Sequence, residues 1–346
     1  MASMRAVYID GHGGNEVVVI GERPVPERRR GEALVRVRAA GLNRVDLYMR
    51  DSGAGITHRL PQIMGLDGAG EIVEIDADET RLKVGDPVVI HPGIGCGRCE
   101  FCLRGEHVLC TSMKFLGEHR DGTLADFVCV PVENLFAKPA ALDWAEAAAL
   151  STAHLTAWRM VFTKARVAPQ ETVLIFGIGG AVSVAALQLV KLIGARAIVT
   201  SRDPEKLAWA KGLGADVGID GSRESISRRV LEETGGRGVD AVIENVGEAV
   251  WSEALKSLVR GGRIVTCGAT SGDAPSADLR RLFIRQIRVL GSTHGTFAEF
   301  ADLLAVCGRG LIRPPIDRRY ALADVHAALD RLEAGRQSGK IAIDLS

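Results

Sequence analysis

The stretch from Thr172 to Thr200 constrains this chain more than any other. A short apolar strand, Thr172 to Phe176, runs into a turn carrying Gly177, Gly179 and Gly180. A helix follows over Ala181 to Leu192, and then a second strand, Ala195 to Thr200. A strand that returns parallel to its predecessor after a helical crossover has to join a sheet covered by helices. The alternation continues with a helix over Pro204 to Leu213 and strands at Val239 to Glu244, Arg263 to Cys267 and Arg288 to Gly291. The predicted fold class is therefore α/β, with a doubly wound parallel sheet in this half.

Upstream the texture is different. Short strands separated by turns fit Ala33 to Ala39, Gly70 to Ile75, Pro87 to His91 and Leu124 to Val130. Ala145 to Ala157, rich in alanine and leucine, reads as a helix. A chain of 346 residues is too long for one ordinary core. The expected divisions are a mostly-β first domain over 1–150, a dinucleotide-type α/β domain over 151–292, and a return to the first domain over 293–346. That return reads as a helix, Leu322 to Ala334, and a final strand, Lys340 to Leu345.

The glycine turn has a chemical use. Backbone N–H groups at a helix N-terminus attract a pyrophosphate, and glycines let the backbone approach it closely. Gly177, Gly179, Gly180, Ala181 and Val182 are thus the candidate phosphate cradle, although Val182 stands where a strict G-x-G-x-x-G has its last glycine. The second strand leads into Thr200-Ser201-Arg202-Asp203. A small residue followed by a base suits a ribose 2′-phosphate and points to NADP through Ser201 and Arg202, with Lys206 on the next helix. Asp203 keeps NAD open, because an acid there binds a free 2′-hydroxyl. Loops at strand C-termini add Gly268, Ala269, Thr270, Ser292 and Thr293 as cofactor contacts.

A second motif lies at GCGRCEFCLRGEHVLC. Cys96, Cys99, Cys102 and Cys110 follow C-x2-C-x2-C-x7-C. Four thiolates close a tetrahedron around zinc and leave no open position, so the metal is structural. Two disulfides or free thiols are the alternatives, and His107 competes as a ligand. The crowding of four sulfurs in a chain without secretory features favours zinc on all four cysteines.

Composition narrows the partners. Lys plus Arg is 43 and Asp plus Glu is 43, so the formal net charge is zero. Nothing draws the chain to nucleic acid or to an anionic membrane. The opening MASMRAVYIDGHGGNE has no apolar core of signal-peptide length, and no run is long enough to span a bilayer. The expected compartment is the cytoplasm and the expected partner a small-molecule substrate.

These motifs resemble the medium-chain dehydrogenase/reductase superfamily of zinc alcohol dehydrogenases and quinone oxidoreductases. The resemblance covers almost the whole chain: AGLNRVDLYMR, PQIMGLDGAGEIV, the cysteine loop, GTLADFVCVP, LTAWRM, the glycine turn and GKIAIDL. It implies a GroES-like first domain, an inserted Rossmann domain, an active site in the cleft between them, and a homodimer or homotetramer pairing through the Arg288 to Gly291 strand. Zinc-dependent members carry a cysteine at Asn43, a histidine followed by an acid at Leu66 and Asp67, and a cysteine at Thr152. Asn43, Leu66 and Thr152 are not usual zinc ligands, so no catalytic zinc is expected. His58 and His154 lie nearby in sequence and read as surface or packing residues.

The implied chemistry is hydride transfer between the nicotinamide and an electrophilic carbon. Without zinc, hydrogen-bond donors have to stabilise the developing oxyanion. Asn43 and Tyr48 are the candidate donors and Asp46 a third catalytic candidate, although Asn43 also suits a turn, Tyr48 a core and Asp46 a helix cap. In the family, Thr156 lies on the helix facing the cleft, which makes it a candidate nicotinamide contact. Weak polarisation suits an enone or quinone, so the expected activity is an NADP(H)-dependent reductase of activated double bonds. An alcohol or aldehyde dehydrogenase and a non-catalytic cofactor-binding protein are the alternatives.

Overall fold

The computed structural model describes residues 2–76, 78–79 and 81–345. The chain forms two compact units, one of Met1–Leu155 with His294–Ser346 and the other of Thr156–Thr293. Among the described residues no helix is long and apolar enough to cross a membrane.

The second unit holds the parallel sheet. Its six strands run in the order Val217–Asp220, Arg196–Ser201, Thr172–Ile175, Val239–Glu244, Leu258–Thr266 and Arg288–Gly291, all parallel. Numbered along the chain, the order is 3-2-1-4-5-6, that of a doubly wound dinucleotide-binding sheet. Its core strands are buried on both faces, as in Val173, Leu174, Ile175, Ile198, Val242 and Ile264. The strand expected from Arg263 begins at Leu258 instead. Gly261 and Gly262 sit inside the strand beside a register shift. The strand Val217–Asp220 and the helices Ile226–Glu233 and Glu248–Ser257 had no sequence assignment, being short or polar.

In the first unit the strand Glu32–Gly41 is central. It pairs antiparallel with Asp67–Glu74, Phe127–Pro131 and Lys340–Asp344. The C-terminal strand therefore closes the sheet that the N-terminal segment begins. The strand expected from Leu124 starts at Phe127, because the Leu124 amide donates to Met64 and its carbonyl accepts from Val7. Val7, Val35, Val37, Ile72, Val88, Ile90, Leu329 and Ile343 share one buried cluster. The helix expected over Ala145 to Ala157 extends across 144–165 and is wound more loosely at Leu150–His154 and Arg159–Ala165. Such wider turns recur at functional sites.

Candidate active site and metal centre

The cysteine loop brings its four sulfurs together. The Sγ atoms of Cys96, Cys99, Cys102 and Cys110 all lie within 4.8 Å of one another, and none is in a disulfide. Cys99 and Cys102 are 3.5 Å apart and Cys96 and Cys102 4.0 Å. Zn–S bonds of about 2.3 Å in a tetrahedron put sulfurs ~3.8 Å apart, so the cage fits zinc. The amides of Cys96 and Ser112 donate to Cys110 Sγ at 3.3 and 3.4 Å, as a thiolate ligand needs. The amides of Arg98 and Cys99 bring the Cys96 thiol down to about 6. Leu103 and Leu109 on this loop are exposed, so the loop has little apolar core of its own.

The glycine turn fits a dinucleotide phosphate. Gly177 and Gly179 have φ of 68° and 109°, conformations that L side chains rarely adopt. Gly180 precedes the helix Ala181–Ile193, and no side chain caps that helix. Its first amides, at Ala181 and Val182, are thus left for an anion. A Cβ on Gly179 would stand 2.6 Å from Lys206 Cδ, which places that lysine against the turn. Ser183 Oγ donates to the Phe176 carbonyl, and Asn245 Nδ2 donates to Ser183 Oγ at 2.9 Å, locking the helix to two neighbouring strands.

The other candidate cofactor residues collect at the same carboxyl edge of the sheet. Gly268, Ala269 and Thr270 follow the strand Leu258–Thr266, and Thr270 Oγ1 donates to the Val246 carbonyl. Ser292 and Thr293 follow Arg288–Gly291, with the Ser292 amide held by the Thr266 carbonyl. Thr156 is buried. Ser201 ends its strand, its Oγ accepting from the Asp203 amide, and Arg202 is exposed. Asp203 caps the next helix through the Glu205 amide at 2.9 Å.

In the first unit the helix Arg44–Ser52 carries the candidate catalytic residues. Asn43 and Asp46 form its capping box, and Asp46 Oδ2 accepts from the Asn43 amide at 2.7 Å. Asp46 is buried, which raises its carboxyl to about 7. The Asn43 side chain is also engaged. Its Oδ1 accepts from Lys340 Nζ at 2.5 Å, and its Nδ2 donates weakly to the Gly41 carbonyl at 3.4 Å. Tyr48 is half-exposed, and its hydroxyl makes no hydrogen bond among the described residues. Partial burial raises its hydroxyl above the usual value.

A catalytic zinc does not fit the residues present. Leu66 has no donor atom, Asn43 Oδ1 is bonded to an ammonium, and Thr152 offers only a hydroxyl. Among the described residues only the four cysteines gather three or more metal-ligating atoms. Lys340 Nζ lies 2.5 Å from Asp67 Oδ2 and donates to Asn43 Oδ1.

Sequence reasoning missed Lys340, Glu118 and His294. Lys340 read as part of the last strand, and only the pairing of Ala342 with Gly41 carries it to Asp67. Glu118 is buried beside His119. His294 is buried with φ of 46°, and its Nε2 has no hydrogen-bond partner among the described residues. Burial lowers its imidazole to about 4. A left-handed histidine is strained backbone of the kind found at functional sites, a signal that the sequence does not carry.

Comparison with known proteins agrees with this architecture. Residues 29–140 match the alcohol dehydrogenase GroES-like domain and residues 181–308 the zinc-binding dehydrogenase domain. An NAD-dependent alcohol dehydrogenase of Sulfolobus acidocaldarius is 33% identical over 346 residues, covering 97% of this chain and 98% of that protein. An alcohol dehydrogenase of Geobacillus stearothermophilus is 32% identical, covering 92% of this chain and 93% of that protein. A crystal structure of an NAD-dependent alcohol dehydrogenase superposes with a TM-score of 0.96 at 38% identity, over 99% of this chain and 100% of that one. With a GroES-like unit, a Rossmann unit and a tetrathiolate loop, this chain belongs to the zinc-binding alcohol dehydrogenase family of the medium-chain dehydrogenase/reductase superfamily.

Proposed function

We propose that this protein is an alcohol dehydrogenase-type oxidoreductase that exchanges hydride between a nicotinamide dinucleotide and a carbonyl carbon without a catalytic zinc. The observation that carries the reading is the Lys340–Asn43–Asp67 group, a buried ammonium in place of a metal-ligand set. The bound nicotinamide supplies the hydride. Tyr48 is the residue with a donor to spare, while Asn43 is tied to Lys340 and Asp46 serves the helix start. The cysteine loop holds a structural zinc that stiffens its fold.

Two named relatives support NAD(H) as the cofactor. Ser201 and Arg202 are the features that would admit a 2′-phosphate, so NADP(H) is the comparison to make. A second reading is reduction of enones or quinones, favoured by the missing metal ligands, since conjugation spreads the charge that zinc would otherwise stabilise. Self-association is also proposed. The edge strand Arg288–Gly291 has one unpaired side, and Leu279, Phe283 and Val289 nearby are exposed.

The test follows NADH and NADPH oxidation against aldehydes, ketones, enones and quinones, and NAD reduction with alcohols, after chelation of loosely held metal. Turnover of simple carbonyls and alcohols supports the main reading. Turnover of conjugated substrates alone supports the second, and cofactor binding with no turnover on the panel overturns both.

A further inference from the structure

In the second unit the strand Val239–Glu244 ends on a carboxylate with no cation beside it. Glu244 is completely buried. Its Oε1 accepts from the amides of Val246 and Gly247, the latter at 2.7 Å, and its Oε2 accepts from the Thr266 hydroxyl at 3.1 Å. Among the described residues no ion pair reaches it. Burial raises the carboxyl, and the Gly247 and Val246 amides act against that rise by bonding to the charged form. A buried carboxylate is costly unless donors are placed for it. The charge and the loop that follows it therefore fix one another.

The loop is the segment 245–247, where the chain leaves the sheet. Gly247 has φ of 94°, and a Cβ on it would stand 2.4 Å from the Gly272 carbonyl oxygen. Val246 is held through both its amide and its carbonyl. Glu244 takes the amide, while the Ser271 amide and hydroxyl each donate to the carbonyl at 2.7 Å. Thr266, bound to the other oxygen of Glu244, leads into Gly268, Ala269 and Thr270.

Two side chains carry this order to the glycine turn. A Cβ on Gly177 would stand 3.1 Å from Val246 Cγ2 and 3.5 Å from Asn245 Oδ1, so Asn245 and Val246 wall one side of the turn. Asn245 Nδ2 donates to Ser183 Oγ at 2.9 Å, and that hydroxyl donates to the Phe176 carbonyl at 2.7 Å, one residue ahead of Gly177. Ser183 is the third residue of the helix Ala181–Ile193, whose first amides are the candidate anion donors. One buried carboxylate thus connects the glycine turn with the loop after Thr266.

We propose that Glu244 is a positioning residue for the dinucleotide, holding the glycine turn and the 268–270 loop in the single arrangement that receives it, an inference that rests on the nicotinamide-dependent reading above. Its carboxylate is enclosed by its own loop, so it acts through Val246 and Asn245. A cradle shaped in advance needs no ordering when the ligand arrives. The effect of Glu244 therefore falls on cofactor affinity and not on the hydride step.

The experiment compares the full-length protein with Glu244→Gln, Glu244→Leu and Asn245→Ala. It reads affinity by fluorescence titration for whichever of NADH and NADPH the parent binds more tightly, the KM for that cofactor and kcat on a substrate the parent turns over, and melting temperature. Glu244→Leu fills the volume without an acceptor. It is expected to weaken cofactor binding ~10-fold or more and to raise the cofactor KM with it, while kcat at saturating cofactor stays close to the parent's. In Glu244→Gln the amide oxygen accepts from both backbone amides and the NH2 group turns to the Thr266 hydroxyl, so most of the affinity returns. Asn245→Ala releases Ser183 but leaves the bonds of Glu244 in place, and weakens binding less than Glu244→Leu. A Glu244→Leu protein with the parent's cofactor affinity overturns the role and leaves the cofactor reading intact. Affinity, kcat and melting temperature falling together, with no recovery in Glu244→Gln, assign a structural role only and also overturn it. If Glu244→Leu does not fold, Asn245→Ala decides, and the parent's affinity in that variant overturns the role. A parent protein that binds neither NADH nor NADPH sinks the cofactor reading, and the role of Glu244 falls with it.

Discussion

Lys340 Nζ and Asp67 Oδ2 meet at 2.5 Å across Gly41, and both residues are almost completely buried. The contact depends on the absence of a side chain between them, because a Cβ on Gly41 would stand 2.7 Å from Lys340 Cε and 2.9 Å from Asp67 Oδ2. The approach is ionic rather than a well-aligned hydrogen bond, and Asp67 Oδ1 has no hydrogen-bond partner among the described residues. Removing one partner of such a pair leaves a buried charge uncompensated, which costs about 3–5 kcal/mol. Lys340→Met is expected to lower the melting temperature by on the order of 10 °C. The double variant Lys340→Met with Asp67→Leu should recover much of that loss. Equal destabilisation of the single and double variants, read by thermal unfolding, would show that the pair is not coupled.

The cysteine cage predicts one zinc per chain by elemental analysis and no second, tightly held zinc. Cys102→Ser should lose that metal and melt ~5 °C or more lower, since the loop has few apolar contacts to hold it otherwise. Two zincs per chain, the second required for turnover, would overturn the assignment at Asn43, Leu66 and Thr152.

Gly179 tests the phosphate cradle. Its φ of 109° strains any L side chain, and a methyl group there would displace Lys206, whose Cδ would stand 2.6 Å away. Gly179→Ala is expected to weaken NADH binding at least ~10-fold, read by fluorescence titration, by displacing the backbone that the pyrophosphate needs. Unchanged binding would move the cofactor away from this turn.

Cofactor choice is readable at Ser201 and Arg202. Ser201→Asp should weaken NADPH binding ~10-fold or more and spare NADH, because an acid there repels a 2′-phosphate and accepts from a 2′-hydroxyl. Arg202→Ala should do the same to NADPH, more mildly. If neither variant changes the NADH to NADPH ratio, the ribose lies elsewhere.

Stability should depend on pH through Glu118. Its carboxyl sits at about 7 in the folded protein against an ordinary 4.5, so between those values the folded state binds the extra proton. Folding stability from this group is therefore greatest below about pH 4.5. It falls as pH rises to about 7 and is level above. Glu118→Gln removes that loss, so its melting temperature should exceed the parent's at pH 8.5 and converge on it towards pH 5.5. A difference that stays constant between the two pH values would contradict the buried carboxyl.

Much of the architecture was legible from local patterns. Period, glycine placement and cysteine spacing act over a few residues, so the strands Val239–Glu244 and Arg288–Gly291, the glycine turn and the tetrathiolate loop could be read along the chain. Boundaries slipped, as at the strand expected from Arg263, which begins at Leu258. The missing zinc ligands were also legible, because they are single identities at Asn43, Leu66 and Thr152.

How Asn43 and Asp67 are held was decided by tertiary structure alone. Lys340 and Asn43 are 297 positions apart and meet only because the last strand pairs with Glu32–Gly41. The same folding gave Asn43 and Asp46 their bonds to Lys340 and to the helix start, and it buried Glu118 within reach of Asp46. Residue type and spacing are properties of neighbours along the chain, so the sequence by itself determined the elements, the glycine turn and the tetrathiolate loop. Burial and charge pairing depend on which strands lie side by side, and only the packed sheet set those.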